Sequence, residues 1–299
     1  MNGITPPHWH LLGAGHIGTW AAGHLLSAGH RVSVVRATDA PIVNARLIDA
    51  DSGDETRLRL PVASPAALSA PLSHVVVACK TPFTETALAR CLLAADATVI
   101  RLQNGVGTLD GRLPAGACLI EAVTTAAVKG QRDRHEIVAD NETWMGGPAA
   151  RPGWFAGLSE HWPGLQWTAH IRHRQWRKLV ANAVINPLTA LHDVPNGALL
   201  TETPLAEHAA ALAAEADRLL ARIDPTWPGD SLAGVQAIAR ATADNTSSMR
   251  ADMARGAATE IEAINGWLLR QADTCGLALP AHAAIAEAVR RQSGRIRQR

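Results

Sequence analysis

The chain has 299 residues, 47% of them hydrophobic and 18% charged, and its 28 basic and 27 acidic side chains leave a net charge of +1. At roughly 150 residues per domain, this describes two globular domains that each bury a core, and it excludes a disordered chain. Charge so evenly balanced and dispersed also argues against nucleic acid or an anionic membrane surface as a partner.

Met1 to Pro7 carry no basic region leading into an apolar stretch, and no run of about 18 apolar residues follows, so a cytoplasmic protein is expected. Trp9 to Leu12 then reads as a short strand running into Gly13-Ala14-Gly15-His16-Ile17-Gly18, with a helix from Thr19 to Ala28 closed by Gly29. Strand, glycine turn and helix in that order form a dinucleotide-binding fingerprint. The first glycine permits the tight turn, the second lets backbone amides approach a pyrophosphate, and the third allows helix and strand to pack closely. The phosphates then sit at a helix amino terminus.

A second strand spans Arg31 to Val35 and is followed by Arg36 rather than an acid. An acid here would hold the ribose hydroxyl of NAD, whereas arginine pairs with the 2′-phosphate of NADP, so NADP(H) is favoured. Asp39 keeps an NAD site open if the strand ends later. Residues 47–62 read as a turn between two short strands. His74 to Ala78 is a continuous apolar strand followed by Lys80 and a helix through Thr84, Ala87 and Leu88, and Thr98 to Leu102 is a further strand leading into Gln103-Asn104-Gly105. Loops at strand carboxyl ends meet ligands in doubly wound sheets, which marks Lys80 and Asn104.

Beyond Gly146-Gly147-Pro148 and the strand-like Leu165 to Trp167, the pattern turns to alanine- and leucine-rich helices. The expected organisation is an α/β Rossmann-like dinucleotide-binding domain over 1–169 followed by an all-α domain over 170–299. Helices are expected at about 172–191, 202–222, 231–241 and 256–274, with a last one from about 280. In the first of these, Lys178, Asn182 and Asn186 recur every four residues and line one face, a donor set suited to a small polyoxygenated ligand. The competing reading is a wet helix face. Pro187 must forfeit the hydrogen bond to the Ala183 carbonyl and kink the helix. Glu260 either faces inward or stays solvated while Thr259 and Glu262 form a capping pair.

Absences restrict the chemistry. There is no tyrosine, which removes reductases that use a phenol as proton donor. Cys79, Cys91, Cys118 and Cys275 lack paired short spacings, and His8, His10, His170 and His173 form loose pairs without a third ligand, so no metal is expected. No Gly-x-Ser-x-Gly elbow or His-Glu-x-x-His helix occurs.

The glycine motif, Leu102-Gln103-Asn104-Gly105, Lys178-x-x-x-Asn182-x-x-x-Asn186-Pro187, Pro195-Asn196-Gly197, Ser247-Ser248-Met249 and Thr259-Glu260-Ile261-x-Ala263-Ile264-Asn265-Gly266 together resemble the ketopantoate reductase family over nearly the whole chain. The resemblance implies NADPH-dependent reduction of 2-dehydropantoate to (R)-pantoate, on the route to pantothenate and coenzyme A. It implies Lys178 as general acid and Glu260 as the group that holds the substrate hydroxyl and orients that lysine. Asn182, Asn186 and Asn196 become amide partners of the substrate and Ser248 the carboxylate ligand. Asn104 is then shared by nicotinamide and substrate, with Glu260 also at the cofactor and Lys80 lining its binding site beside Gly13, Ala14, Gly15, His16, Ile17, Gly18 and Arg36. Thr124-Thr125-Ala126-Ala127-Val128 lacks the histidine associated with the family's turn. Two alternatives stand beside this reading: a D-2-hydroxyacid dehydrogenase acting on another branched 2-keto acid, and a non-catalytic NADP(H) sensor. The alanine-rich helical half offers surface for a twin copy, so a homodimer is weighed against a monomer.

Overall fold

The computed structural model describes residues 6–297, so the reading of residues 1–5 as free of a targeting signal lies outside the described residues. The chain separates into two compact units. The first runs up to Gln103 and resumes over Leu109–Ile171; the second takes Asn104–Thr108 and the segment from Arg172 onward. The short segment 104–108 therefore groups with the second unit rather than with the residues on either side of it.

In the first unit β1 (His8–Leu12) enters α1 (His16–Ser27), followed by β2 (Arg31–Val35), β3 (Ile42–Asp49) and β4 (Glu55–Ala63). Next come β5 (Leu72–Val77), the short α2 (Thr84–Leu88), β6 (Leu93–Arg101) and β7 (Cys118–Thr124). The unit ends with β8 (Ala127–Gln131), β9 (Arg134–Ala139), β10 (Thr143–Gly146), α3 (Trp154–Ser159) and β11 (Leu165–Trp167). The strands form one sheet ordered β11-β10-β7-β6-β5-β1-β2-β4-β3-β9-β8. Its centre is parallel: β1 pairs with β2 and β5, β5 with β6, and β6 with β7. These central strands are apolar on both faces because both are covered. Leu11, Val34, Val76 and Ile100 enter one core with Trp9, Trp20 and Leu25, while their neighbours Leu12, Val35, Val75, Val77 and Val99 enter the other.

The expected turn at 47–62 is an antiparallel hairpin of β3 with β4, whose strands of 8 and 9 residues are longer than anticipated. The carboxylate of Asp49 accepts from the backbone N–H groups of Asp51 at 2.9 Å and Ser52 at 2.8 Å, which closes the turn. α1 begins at His16 rather than Thr19, because the glycine turn itself serves as the helix start. His8 and His10 are packed side chains: their rings lie 4.4 Å apart, and burial pushes the His8 pKa down to about 4.

The second unit is helical: α4 (Ile171–His192), α5 (Ala198–Thr201), α6 (Thr203–Ile223), α7 (Ser231–Ala241), α8 (Ser248–Ala254), α9 (Asn265–Cys275) and α10 (Pro280–Arg297). Leu179, Val180, Ala183, Val184, Ile185 and Leu188 of α4 are all buried in its core, with Leu212, Leu219 and Leu220 of α6 and Leu268 of α9. From Leu179 to Leu188 one stretch of α4 is thus packed into this core, while Arg172, Arg174 and Arg177 before it stay exposed.

The expected helix 256–274 does not form as one piece. α8 ends at Ala254, and Gly256 two residues on has a left-handed φ of +64°. The Gly256 N–H reaches the Met253 carbonyl at 3.0 Å and the Ala257 N–H reaches that of Asp252 at 2.8 Å, a Schellman stop that a continuous helix cannot pass. Residues 257–259 are then irregular, 260 is a bend and 261–264 are turns, and α9 starts only at Asn265. The Thr259–Glu262 capping pair is absent too, since Glu262 is engaged by Arg290 at 2.6 and 3.1 Å. Pro187 lies inside α4, and the Ala183 carbonyl it leaves unserved accepts instead from Asn265 Nδ2 at 2.9 Å. Among the described residues no helix is long and apolar enough to cross a membrane, and no group of three or more His, Cys, Asp or Glu could hold a metal ion.

Candidate active site

In the first unit the glycine motif is fixed by contact distances. A Cβ on Gly13 would lie 2.3 Å from the Cys79 nitrogen, and one on Gly18 would lie 1.9 Å from the Gly13 carbonyl oxygen. Gly13 also has a φ of +109°. Gly15 differs, since nothing lies within 4 Å of its would-be Cβ. It is the residue preceding α1, no side chain caps that helix, and its first turn has no acid. Open space over uncapped amide groups at a positive helix end fits a pyrophosphate.

Gly13 and Ala14 line a hollow of about 330 Å³ together with Val34, Val35 and Arg36 from the end of β2 and with Cys79. Arg36 lines it and Asp39 does not, which favours the 2′-phosphate over the bare ribose. Ile17 is part-buried in α1. Lys80 stands exposed just after β5 and is not among the residues lining that hollow. His16 opens α1, and its Nδ1 meets Nδ1 of the buried His135 on β9 at 2.9 Å, so one ring must hold the proton the other accepts. Nothing in the sequence pattern connected His135 with the glycine motif. Gln103 also escaped the reading: its Nε2 donates to the Cys79 carbonyl at 2.6 Å and to the Thr84 hydroxyl at 2.9 Å, tying the end of β6 to the segment after β5.

The second unit gathers most of the remaining polar residues. Asn104 Nδ2 donates to Glu260 Oε2 at 3.2 Å across 156 positions of sequence. Glu260 is only 8% exposed, so the solvated alternative fails. Its place in a bend, rather than on a helix, is what the break after Gly256 accomplishes. Glu260 raises the pKa of Lys178 by its charge, but desolvation is the larger influence, and the ammonium is held down at about 8 from an ordinary value near 10.5. A lysine tuned this way gives up its proton far more readily than a solvated one at neutral pH.

Asn186 Nδ2 lies 3.4 Å from the Ser248 hydroxyl, and Ser248 is exposed at the start of α8, where Ser247 caps the helix by accepting from the Arg250 N–H. Asn196 Nδ2 donates to Thr242 Oγ1 at 3.0 Å, while its Oδ1 is buried without a partner. Asn182 Nδ2 is likewise buried without an acceptor. Buried amide groups are nearly always paired, so these two are places where a ligand's oxygens and hydroxyls fit.

A doubly wound sheet with a glycine turn at a helix start, together with a helical unit that sets a half-buried lysine beside a buried glutamate, fits the class of nicotinamide-dependent oxidoreductases. Residues 9–149 match the family model for ketopantoate reductase PanE/ApbA, and residues 170–293 match the model for that family's C-terminal region. A 2-dehydropantoate 2-reductase of Salmonella typhi is 31% identical over 293 residues, covering 94% of each chain. The chain belongs to the ketopantoate reductase family. Its fold is also that of the PanE/ApbA family ketopantoate reductase of Ralstonia eutropha, with a TM-score of 0.82 at 24% identity over 97% of this chain and 99% of that one. A D-mandelate dehydrogenase solved with NADH and anilino(oxo)acetate shares the fold at a TM-score of 0.83 and 18% identity, with the same coverage.

Proposed function

We propose that this protein reduces ketopantoate to (R)-pantoate with NADPH, the step that feeds pantothenate synthesis. NADPH, when bound, supplies the hydride. As negative charge grows on the keto oxygen, the Lys178 ammonium stabilises it and delivers the proton that completes the alcohol. The buried Glu260 carboxylate keeps that lysine charged against the pull of desolvation, and it accepts from the substrate hydroxyl and from Asn104. Asn182, Asn186 and Asn196 orient the remaining oxygens, and the exposed Ser248 hydroxyl binds the carboxylate. On the cofactor side, Gly13 to Gly18 hold the pyrophosphate, Arg36 pairs with the 2′-phosphate, and Lys80 and Asn104 reach toward the rest of the cofactor. The reading includes a cytoplasmic setting and a homodimer built on the helical half; a single-copy mass by light scattering would overturn the latter.

The observation that carries the proposal is the half-buried Lys178 set beside the buried Glu260, which accepts from Asn104 at 3.2 Å. The test is the initial rate of NADPH oxidation with ketopantoate beside 2-ketoisovalerate. Strong preference for ketopantoate is expected, because a site built to bond a hydroxyl rejects a substrate lacking it. Equal or better turnover of 2-ketoisovalerate would leave hydride transfer intact and make the protein a dehydrogenase of simpler 2-keto acids; no turnover of either would favour the sensor.

A further inference from the structure

The hollow that contains Gly13 and Arg36 has walls that the glycine motif does not explain. Phe83, Thr86, Ala87 and Arg90 of the α2 segment line it as well. Phe83 is 53% exposed, an unusual state for a large apolar ring. Arg46, Arg57, Arg112, Arg134, Arg177, Arg250, Arg255 and Arg290 pair with carboxylates at 2.6 to 3.9 Å. Among the described residues, neither Arg36 nor Arg90 has such a partner. Two arginines without carboxylate partners lining one hollow suit an anion, and a half-exposed ring lining the same hollow offers a face to a flat apolar group.

We propose that the α2 segment recognises the adenosine 2′-phosphate end of the cofactor, Arg90 sharing the 2′-phosphate with Arg36 and Phe83 stacking on the adenine. This rests on the NADPH reading above and adds two positions to it. Arginine is suited to the role because its planar fork binds phosphate oxygens in pairs. Phenylalanine gives a stacking platform for the base without demanding a hydrogen bond.

Calorimetric titration of the purified protein with NADPH, NADH and 2′,5′-ADP tests this without any turnover. Arg90→Ala is expected to weaken NADPH and 2′,5′-ADP about tenfold while leaving NADH unchanged, as loss of one charge-assisted phosphate contact requires. Phe83→Ala is expected to weaken all three ligands about fivefold or more, and Phe83→Trp to retain tight binding. Unchanged NADPH affinity in Arg90→Ala, or equal losses for NADPH and NADH, overturns the role of Arg90. Unchanged affinity in Phe83→Ala overturns the stacking. Failure of the wild-type protein to bind NADPH would instead strike at the reading on which the inference rests.

Discussion

Helix α4 carries two polar groupings that end differently. Near Pro187 the side-chain donors are used up internally, although Asn265 Oδ1 is buried without a partner. Asn265 Nδ2 serves the freed Ala183 carbonyl at 2.9 Å and His282 Nδ1 at 3.1 Å, and His282 Nε2 donates onward to the Leu212 carbonyl at 3.0 Å. The Thr189 and Ser247 hydroxyls meet at 2.7 Å, and Ser247 caps α8. Further toward the helix start, Asn182 Nδ2 is buried with no acceptor, and Lys178 is held at about 8. The first grouping repairs a helix around a proline. The second carries an unmet donor and a shifted lysine, which the proposed substrate would complete. Polar residues packed along one helix can therefore serve opposite ends, and the separation between them lies in whether their donors find partners within the protein.

Removing the second grouping's centre produces the largest effect. Lys178→Ala is expected to lower kcat about 10²- to 10⁴-fold, the usual contribution of a positioned acid. Its urea unfolding midpoint should stay near the wild-type value, because losing a desolvated cation offsets leaving the buried Glu260 without its charged neighbour. Near-normal kcat would remove Lys178 from the chemistry.

The first grouping breaks the other way. Asn265→Ala leaves the Ala183 carbonyl and the His282 ring without their donor, and is expected to cost about 1–3 kcal/mol of stability. Urea titration checks this, with kcat of the folded fraction close to wild type. A stable variant with impaired turnover would place Asn265 in the functional grouping instead.

The lysine also sets a pH signature. With the Lys178 pKa at about 8, the protonated acid is depleted above that pH, so kcat should fall about tenfold per unit on the alkaline side. The stability effect has the opposite slope. Between about 8 and the unfolded value of 10.5 the unfolded chain holds a proton that the folded chain has released, so this group's contribution to stability rises with pH across that window. Lys178→Met should abolish both; an alkaline decline in kcat that survives in residual Lys178→Met activity would belong to another group.

The smallest change is at the idle amide. Asn182→Leu removes a buried donor that has no partner, so stability should hold or improve by roughly 1 kcal/mol, while KM rises about tenfold from the lost substrate contact. A clear loss of stability would mean that Asn182 is already satisfied in the folded protein.

The elements legible in the sequence are those whose pattern is local. Trp9 to Gly18 shows strand, turn and helix within ten residues, and the continuous apolar runs of β2 and β5 could be assigned without knowing what covers them. Ser231–Ala241 followed directly from helical periodicity. The strands after β6 were not legible, apart from the short β11. Ala127–Gln131 is largely exposed and contains lysine, glycine and glutamine, so it lacks the alternation that marks a strand. The expected helix over 256–274 failed for a related reason, because the stop at Gly256 depends on a left-handed backbone and two backbone hydrogen bonds that helical periodicity does not encode.

The sequence alone determined which chemistry was available: the glycine spacing of α1's start, the arginine after β2, and a lysine with two asparagines on one helical face, each set by covalent order and helix or strand period. Tertiary structure decided what those groups became. It brought Asn104 to Glu260 across 156 positions and buried Glu260 beside Lys178. It placed Phe83 and Arg90 on the hollow that holds Arg36 and made Asn265 the donor that replaces the N–H missing at Pro187. Burial and long-range pairing are properties of packing, and a pKa, an unmet donor or a shared hollow exists only once packing has fixed the dielectric and the neighbours.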